Sequence, residues 1–386
     1  MSKSEGFIQP WQGRYLSQKK TLHKLASSYA NRFLIVLLPL ICIASSASSV
    51  SGEELLRFPP KLMKSVEGYA VIPRTPFRCQ TVPPMTDMSQ FFTFYQEGKT
   101  QSAVDPKAMA AYVRRTALLD KAKANLSSLI QQLGSRPSED ATIAECIMRQ
   151  IYVFSENDAL LGNLDDNNLG GRRQAVLVGI WSAIKFSQAF AIASEHFAVS
   201  SEQQVSVKRW FSRLSDVFIG EFTPPLNPRE EKYKWLDNNA NTRYWAGAAV
   251  GMLAVHVQDA AKFDWAMMVL HSGLDQIQDD GSLPSELRRG ARSLHYQSFA
   301  MSALAILVNL ADSNKVSLSP NEERRLLNAI NFTIEMYRNP EILSKRVGHE
   351  QIERPRMGEW LSDLVEHVSP IDSGLTKKMM DVIEDR

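Results

Sequence analysis

The chain has 386 residues, 44% hydrophobic and 22% charged, with a net charge of +2. That is enough apolar material for one large domain or two smaller ones. Charge this evenly balanced excludes a nucleic-acid-binding tail in the body of the chain. The cysteines and scattered histidines show no zinc-ligand spacing, so neither a metal nor another cofactor is expected.

At the N-terminus Lys19, Lys20, Lys24 and Arg32 precede FLIVLLPLICIASSA, Phe33 to Ala47, which fades into serines. A basic flank, a short apolar core and small residues after it describe a secretory signal peptide over residues 1–47, so a periplasmic or secreted protein is expected. The alternative is an uncleaved anchor, although the run falls short of the ~20 residues of a spanning helix and contains Pro39. These 47 residues carry six positive charges and one negative, so the remaining chain has a net charge of −3. Cys42 lies in the leader. Cys79 and Cys146 remain as an even pair, either a disulfide of an exported protein or two buried thiols.

Residues 48–105 read as an extended lead-in, punctuated by RFPP, VIPRTPF and TVPPMTD. From residue 106 to 386 helical periodicity takes over. Apolar spacing near 3.6 runs through Ala108–Leu133, Ala141–Phe154, Arg172–Phe197, Gln203–Ile219, Arg243–Val257, Lys262–Ile277, Ala291–Ala311, Asn321–Tyr337 and Glu359–Val365. Breaks fall at LGSRPSED, GNLDDNNLGG, FTPPLNPREE, DDGSLPSE and DSNKVSLSP. No β-branched alternation is long enough for a core sheet. Nine or ten helices in antiparallel hairpins predict a single all-α domain, an α/α toroid or a bundle.

Two polar clusters interrupt this pattern. DNNANTRYWAGAAV, Asp237 to Val250, puts amides, a guanidinium and a Tyr-Trp pair at the mouth of a helix of small residues. Asparagine competes for backbone hydrogen bonds and marks a helix start rather than an interior. QDDGSLPSELRRGARSLHYQSFAMSAL, Gln278 to Leu304, turns at Asp279, Asp280 and Gly281 and then enters a helix. Arg289 and Tyr296 are two helical turns apart and share a face, with Arg292 between them. Standing alone, that face could be a solvated stripe.

Taken in order, NNANTRYWAGAAV, FDWAM (Phe263 to Met267) and QDDGSLPSELRRGARSLHY resemble the periplasmic alginate lyases that cleave polymannuronate. The resemblance reaches upstream to CQTVPP with FFTFYQEG, IKFSQAFAIASE and WFSRLSDVF, and covers roughly residues 75–312. It implies an α/α toroid with a cleft for an acidic polysaccharide, and a β-elimination in which the C5 proton leaves and the C4–O bond breaks. A C5–H beside a carboxylate is barely acidic until that charge is neutralised, so an amide and a guanidinium must grip it. A base must reach C5 and an acid must reach O4. By position, the resemblance makes Asn241 the carboxylate neutraliser, Arg289 its support and Tyr296 the acid. Tyr244 and Trp245 would line the cleft, where aromatic faces stack on sugar rings.

Two positions depart from the family pattern. Its histidine after the asparagine is Thr242 here, and a lysine of its cleft corresponds to Tyr95. Without an imidazole, Tyr296 would serve as both base and acid, which demands that the proton and the leaving oxygen lie on one ring face. They do in D-mannuronate and D-glucuronate but not in L-guluronate. Arg289 and Arg292 are the cations that could lower the phenol's pKa. His295 sits about 100° around the helix and is expected to point elsewhere. The expected function is thus a polysaccharide lyase acting on an acidic exopolysaccharide, with an exopolysaccharide secretion machinery as a further partner and no nucleic acid. The alternatives are a polysaccharide-binding protein that has lost catalysis, and a glycoside hydrolase using paired carboxylates such as Asp237 and Asp280.

Overall fold

The computed structural model describes residues 55–63, 77–96, 102–164, 169–223 and 240–385, all within the compact unit Glu54–Arg386. The apolar leader lies outside the described residues, as do Asp237, Asn238 and Asn239.

Each of the nine periodic segments forms a helix. In chain order they are α1 (Pro106–Gln132), α2 (Asp140–Glu156), α3 (Leu169–His196), α4 (Ser201–Phe222), α5 (Asn241–Val257), α6 (Ala260–Asp275), α8 (Ser293–Ser313), α9 (Pro320–Arg338) and α11 (Gly358–Val368). Local chemistry starts them. Asp105 accepts from the Ala108 amide with Pro106 at the first helical position, and Ser200/Gln203 and Ser319/Glu322 form capping boxes on α4 and α9. Three further short helices escape the periodicity: α7 (Pro284–Leu287), α10 (Pro340–Val347) and α12 (Ser373–Glu384). Among the described residues extended pairing is confined to two isolated bridges, Asp87 with Gly162 and Tyr95 with Val104.

From α1 to α3 every helix packs on the next and on the next but one, α4 packs on α5, and α5, α6, α8 and α9 continue the progression. That is the contact pattern of an α/α toroid. At its centre α5 touches α3, α4, α6 and α8. Its faces belong to different cores: Ala246, Ala249, Val250 and Leu253 join the α1–α4 side, while Tyr244, Ala248, Met252 and Val255 join α6, α8, α9, α11 and α12. The small residues make this possible. A Cβ on Gly247 would lie 2.7 Å from Val269 Cγ1, and one on Gly251 would lie 2.8 Å from Leu310 Cδ1. The helix is therefore hydrophobic all round because it is buried all round.

The lead-in is fastened to this scaffold in two ways. A disulfide joins Cys79 to Cys146 on α2, which settles the two readings of that pair. Buried Gln150 of α2 accepts from the Val82 amide at 2.6 Å and donates to its carbonyl at 2.9 Å. The segment then runs on to residues 91–96 beside the α1 N-terminus, where Asp105 N donates to Phe94 O at 2.9 Å. Tyr95 is positioned by that attachment.

Candidate active site

The first turn of α5 has no side-chain cap of its own, because its N-cap residue is Ala240. Glu286 of α7 fills the place from outside. The Asn241 backbone amide donates to Glu286 Oε1 at 2.9 Å, and Asn241 Nδ2 donates to Glu286 Oε2 at 2.6 Å. Ser285 adds a third donor at 3.0 Å. A carboxylate at a helix N-terminus also meets the positive end of the helix dipole. Burial nonetheless dominates and pushes the Glu286 carboxyl above its ordinary value, against the Asn241 and Ser285 hydrogen bonds and the Arg289 charge.

Glu286 ties α5 to the second cluster. The Arg289 amide donates to the Glu286 carbonyl at 3.1 Å, and the Arg292 amide to Arg289 O at 3.0 Å. This succession of tight turns, ending in a 3-10 turn over Gly290–Arg292, leads into α8. The turn brings the Arg289 guanidinium 3.5 Å above the Tyr296 ring centroid and 5.0 Å from that of Tyr95. The hydroxyls of Tyr95 and Tyr296 hydrogen-bond each other. Burial pushes the Tyr296 phenol well above its ordinary value, while the charge and hydrogen bond of Arg289 pull it down. Burial wins, so the resting phenol is neutral. The structure thus brings together Tyr95, Arg289 and Tyr296, and links Asn241 to them through Glu286.

Arg292 is otherwise engaged. Its Nε donates to Ser102 O at 2.8 Å and its Nη1 pairs with Glu353 at 2.5 Å, leaving only a distant 6.0 Å approach to the Tyr95 ring. It does not appear among the groups that shift the Tyr296 phenol. Glu353 also pairs with His295 Nδ1 at 3.2 Å. His295 stands closer to Tyr296 than its position on the helix implied: the two rings meet edge-on at 5.1 Å, and His295 stacks on Phe299 at 6.1 Å. Its imidazole is pushed down, chiefly by burial, and is neutral near pH 7.

On α5 the expected pair of aromatics separates. Trp245 packs against Phe299 at 4.8 Å, which also meets Trp181 at 6.0 Å, making an aromatic wall from three helices. Thr242 Oγ1, Trp245 Nε1 and Trp181 Nε1 are buried polar atoms without a protein partner. Tyr244 does not line a cleft. It is fully buried, its hydroxyl donates to Gln276 at 3.0 Å, and its phenol is pushed up by burial. Three residues beyond Asn241 on the central helix, it points into the α6–α8 core instead.

Asp280 is likewise accounted for. It accepts from Ser282 N and Oγ at 2.9 and 2.6 Å and pairs with Arg346 at 2.7 Å, as a turn residue does. Its would-be partner Asp237 lies outside the described residues. Among the described residues no group of three or more His, Cys, Asp or Glu is gathered to hold a metal. Two functional-looking groups escaped the sequence reading, Glu286 and Glu353. Glu286 could have been noticed as an acid three residues before Arg289; Glu353 comes from a distant loop that gives no local signal.

The fold and these side chains together define a polysaccharide lyase of the α/α-toroid class. Residues 94–343 match the alginate lyase family, and the chain belongs to that family. It is 27% identical over 322 residues to an alginate lyase of Pseudomonas fluorescens strain SBW25, covering 81% of this chain and 80% of that one. An alginate lyase of Pseudomonas putida strain GB-1 is 27% identical over 284 residues, 71% of this chain and 72% of that one. Among solved structures, a variant of alginate lyase A1-III complexed with tetrasaccharide superposes with a TM-score of 0.62 at 20% identity, covering 82% and 83% of the two chains. Alginate lyase A1-III from Sphingomonas species A1 gives 0.57 at 19% identity over 82% and 83%. At these identities the structural likeness establishes the toroid alone.

Proposed function

We propose that the protein cleaves a β-linked D-mannuronate polymer, the polymannuronate part of alginate, by β-elimination. The observation that carries this reading is the Tyr296 phenol, held under the Arg289 guanidinium at 3.5 Å and hydrogen-bonded to Tyr95. Family membership and the relatives named alginate lyase support the substrate class.

In this mechanism the Asn241 amide and Arg289 take up the substrate carboxylate, so that negative charge developing at C5 spreads onto a neutralised group. The Tyr296 oxygen, as phenolate, removes the C5 proton. The electron pair forms the C4–C5 double bond and the C4–O4 bond breaks. The same phenol then returns the proton to O4, giving one unsaturated and one ordinary chain end. Tyr95, hydrogen-bonded to Tyr296, holds that oxygen in place and offers a hydroxyl to the sugar. Because one oxygen does both transfers, proton and leaving group must lie on the same face. D-mannuronate satisfies this and L-guluronate does not.

Thr242 in the place of the family's histidine favours a second reading, binding without turnover. One assay separates the two: ultraviolet absorbance of unsaturated uronide on polymannuronate, polyguluronate and polyglucuronate. Absorbance rising on polymannuronate but not on polyguluronate meets the proposal; tight binding with no absorbance on any polymer overturns it. Export is part of the proposal. It is supported by the basic flank and apolar run of Phe33–Ala47, and would place the protein beside the machinery that secretes an exopolysaccharide.

A further inference from the structure

Glu286 is the most deeply buried acid near these residues, 1% exposed, and none of the chemistry described above uses it. Two of its contacts reach the same residue. Oε1 accepts the Asn241 backbone amide at 2.9 Å and Oε2 accepts Asn241 Nδ2 at 2.6 Å. The backbone bond fixes where the carboxylate sits. With Oε1 already taken by the backbone amide, Oε2 faces the Asn241 side chain as an acceptor, so the carboxamide beside it presents its nitrogen and not its oxygen. An asparagine free to rotate could present either edge to a ligand, and only the N–H edge can neutralise a carboxylate.

We infer that Glu286 is a positioning residue for the elimination, setting the edge that the Asn241 carboxamide turns to the substrate. With one N–H held by Glu286, the remaining N–H is kept as a donor for the uronate carboxylate. The orientation is set before substrate arrives, which is where an electrostatic contribution of this kind gains its size. The inference rests on the proposed lyase reading, in which Asn241 grips the carboxylate. It separates Glu286 from a mere helix cap, because a cap needs only an acceptor for the backbone amide.

Glu286→Gln makes that separation. Glutamine is isosteric, and its Oε1 can still accept the Asn241 backbone amide, so α5 stays capped. Its Nε2 then faces the Asn241 side chain, whose amide must turn over to offer oxygen. On polymannuronate, kcat should fall about 10²–10³-fold, the cost of losing one preorganised donor, with KM changed much less. Asn241→Ala should fall by a like factor, and the double variant should be no worse than Asn241→Ala alone, since the two residues act as one unit. Near-normal kcat in Glu286→Gln, or losses that multiply in the double variant, would overturn the inference. A second readout does not depend on turnover. In protein labelled with 15N-asparagine, the Asn241 side-chain amide, assigned by its loss in Asn241→Ala, should lie downfield and shift on Glu286→Gln. An unmoved resonance overturns the inference. If the wild type lacks activity on every uronate polymer, the lyase reading fails, and the resonance still decides the positioning claim.

Discussion

Replacing Gly281 by alanine tests how the second cluster is held. This glycine has φ +88°, and a Cβ there would lie 2.1 Å from Asn328 O and 2.8 Å from Phe332 Cβ. Its own amide donates to Gln278 O at 2.9 Å. Its carbonyl accepts from Gln297 Nε2 at 3.2 Å, and Gln297 Oε1 takes the Leu283 amide at 3.1 Å, just ahead of the helix that carries Glu286. The left-handed backbone costs a non-glycine residue about 1–2 kcal/mol, and forcing α9 backbone away from the new methyl costs about 1–3 kcal/mol more. The total of about 2–5 kcal/mol corresponds to a melting point lowered by about 3–7 °C in a domain of this size. Gly134→Ala is the control, because φ is +77° there but nothing lies within 4 Å; only the backbone cost remains, a drop of about 1–3 °C. Circular dichroism melts of the two variants measure the difference. If Gly281→Ala melts no lower than Gly134→Ala, the packing of this turn against α9 is not as described.

Three further outcomes follow from other parts of the molecule. The disulfide between Cys79 and Cys146 spans 67 residues, so its loss in a Cys79→Ser/Cys146→Ser variant should destabilise by about 4 kcal/mol; unreduced protein that alkylates at both positions would refute the bond. Buried His256, held at 3.0 Å from Ser187, has its imidazole pushed down from 6.5 to about 4 by burial. A depressed histidine binds its proton less well folded than unfolded, so its contribution is full above pH 6.5 and is lost as pH falls toward 4. His256→Gln should flatten that part of the wild-type stability curve, and an unchanged slope would count against it. Because burial keeps the Tyr296 phenol protonated, kcat/KM should climb steadily with pH through the neutral range as the phenolate fraction grows; a profile falling across that range would assign the base to another group.

Much of the fold is legible in the chain, because nine helices carry a clear 3.6 period between breaks of Gly, Pro and Asn. The three that are not, α7, α10 and α12, are short, with 4, 8 and 12 residues. Pro284 and Pro340 open two of them, and the proline that reads as a breaker in sequence serves as a helix start in space. The site divides along a similar line. Arg289 and Tyr296 could be paired from their spacing, although only Tyr296 stands on α8 and Arg289 is brought to it by the 3-10 turn ahead of that helix. Tyr244 could not be placed, because α5 is apolar on every side and its period marks no solvent face. The tyrosine next to Trp245 therefore turns into the core while the tryptophan meets Phe299. Glu286 was hidden for the opposite reason: a glutamate in a polar segment reads as surface, and only the three-dimensional approach of α7 to the start of α5 buries it.

The central claim is that the Tyr296 oxygen carries both proton transfers. The direct test is Tyr296→Phe on polymannuronate, with turnover followed by ultraviolet absorbance and oligomannuronate binding by calorimetry. One general acid–base role contributes about 10²–10⁴-fold, so removing an oxygen that serves both should cost at least the upper end. Binding should stay near the wild-type affinity, because the ring and the stacked Arg289 remain. A Tyr296→Phe protein that cleaves the polymer at near wild-type rate would contradict the account and leave the phenol a scaffold residue.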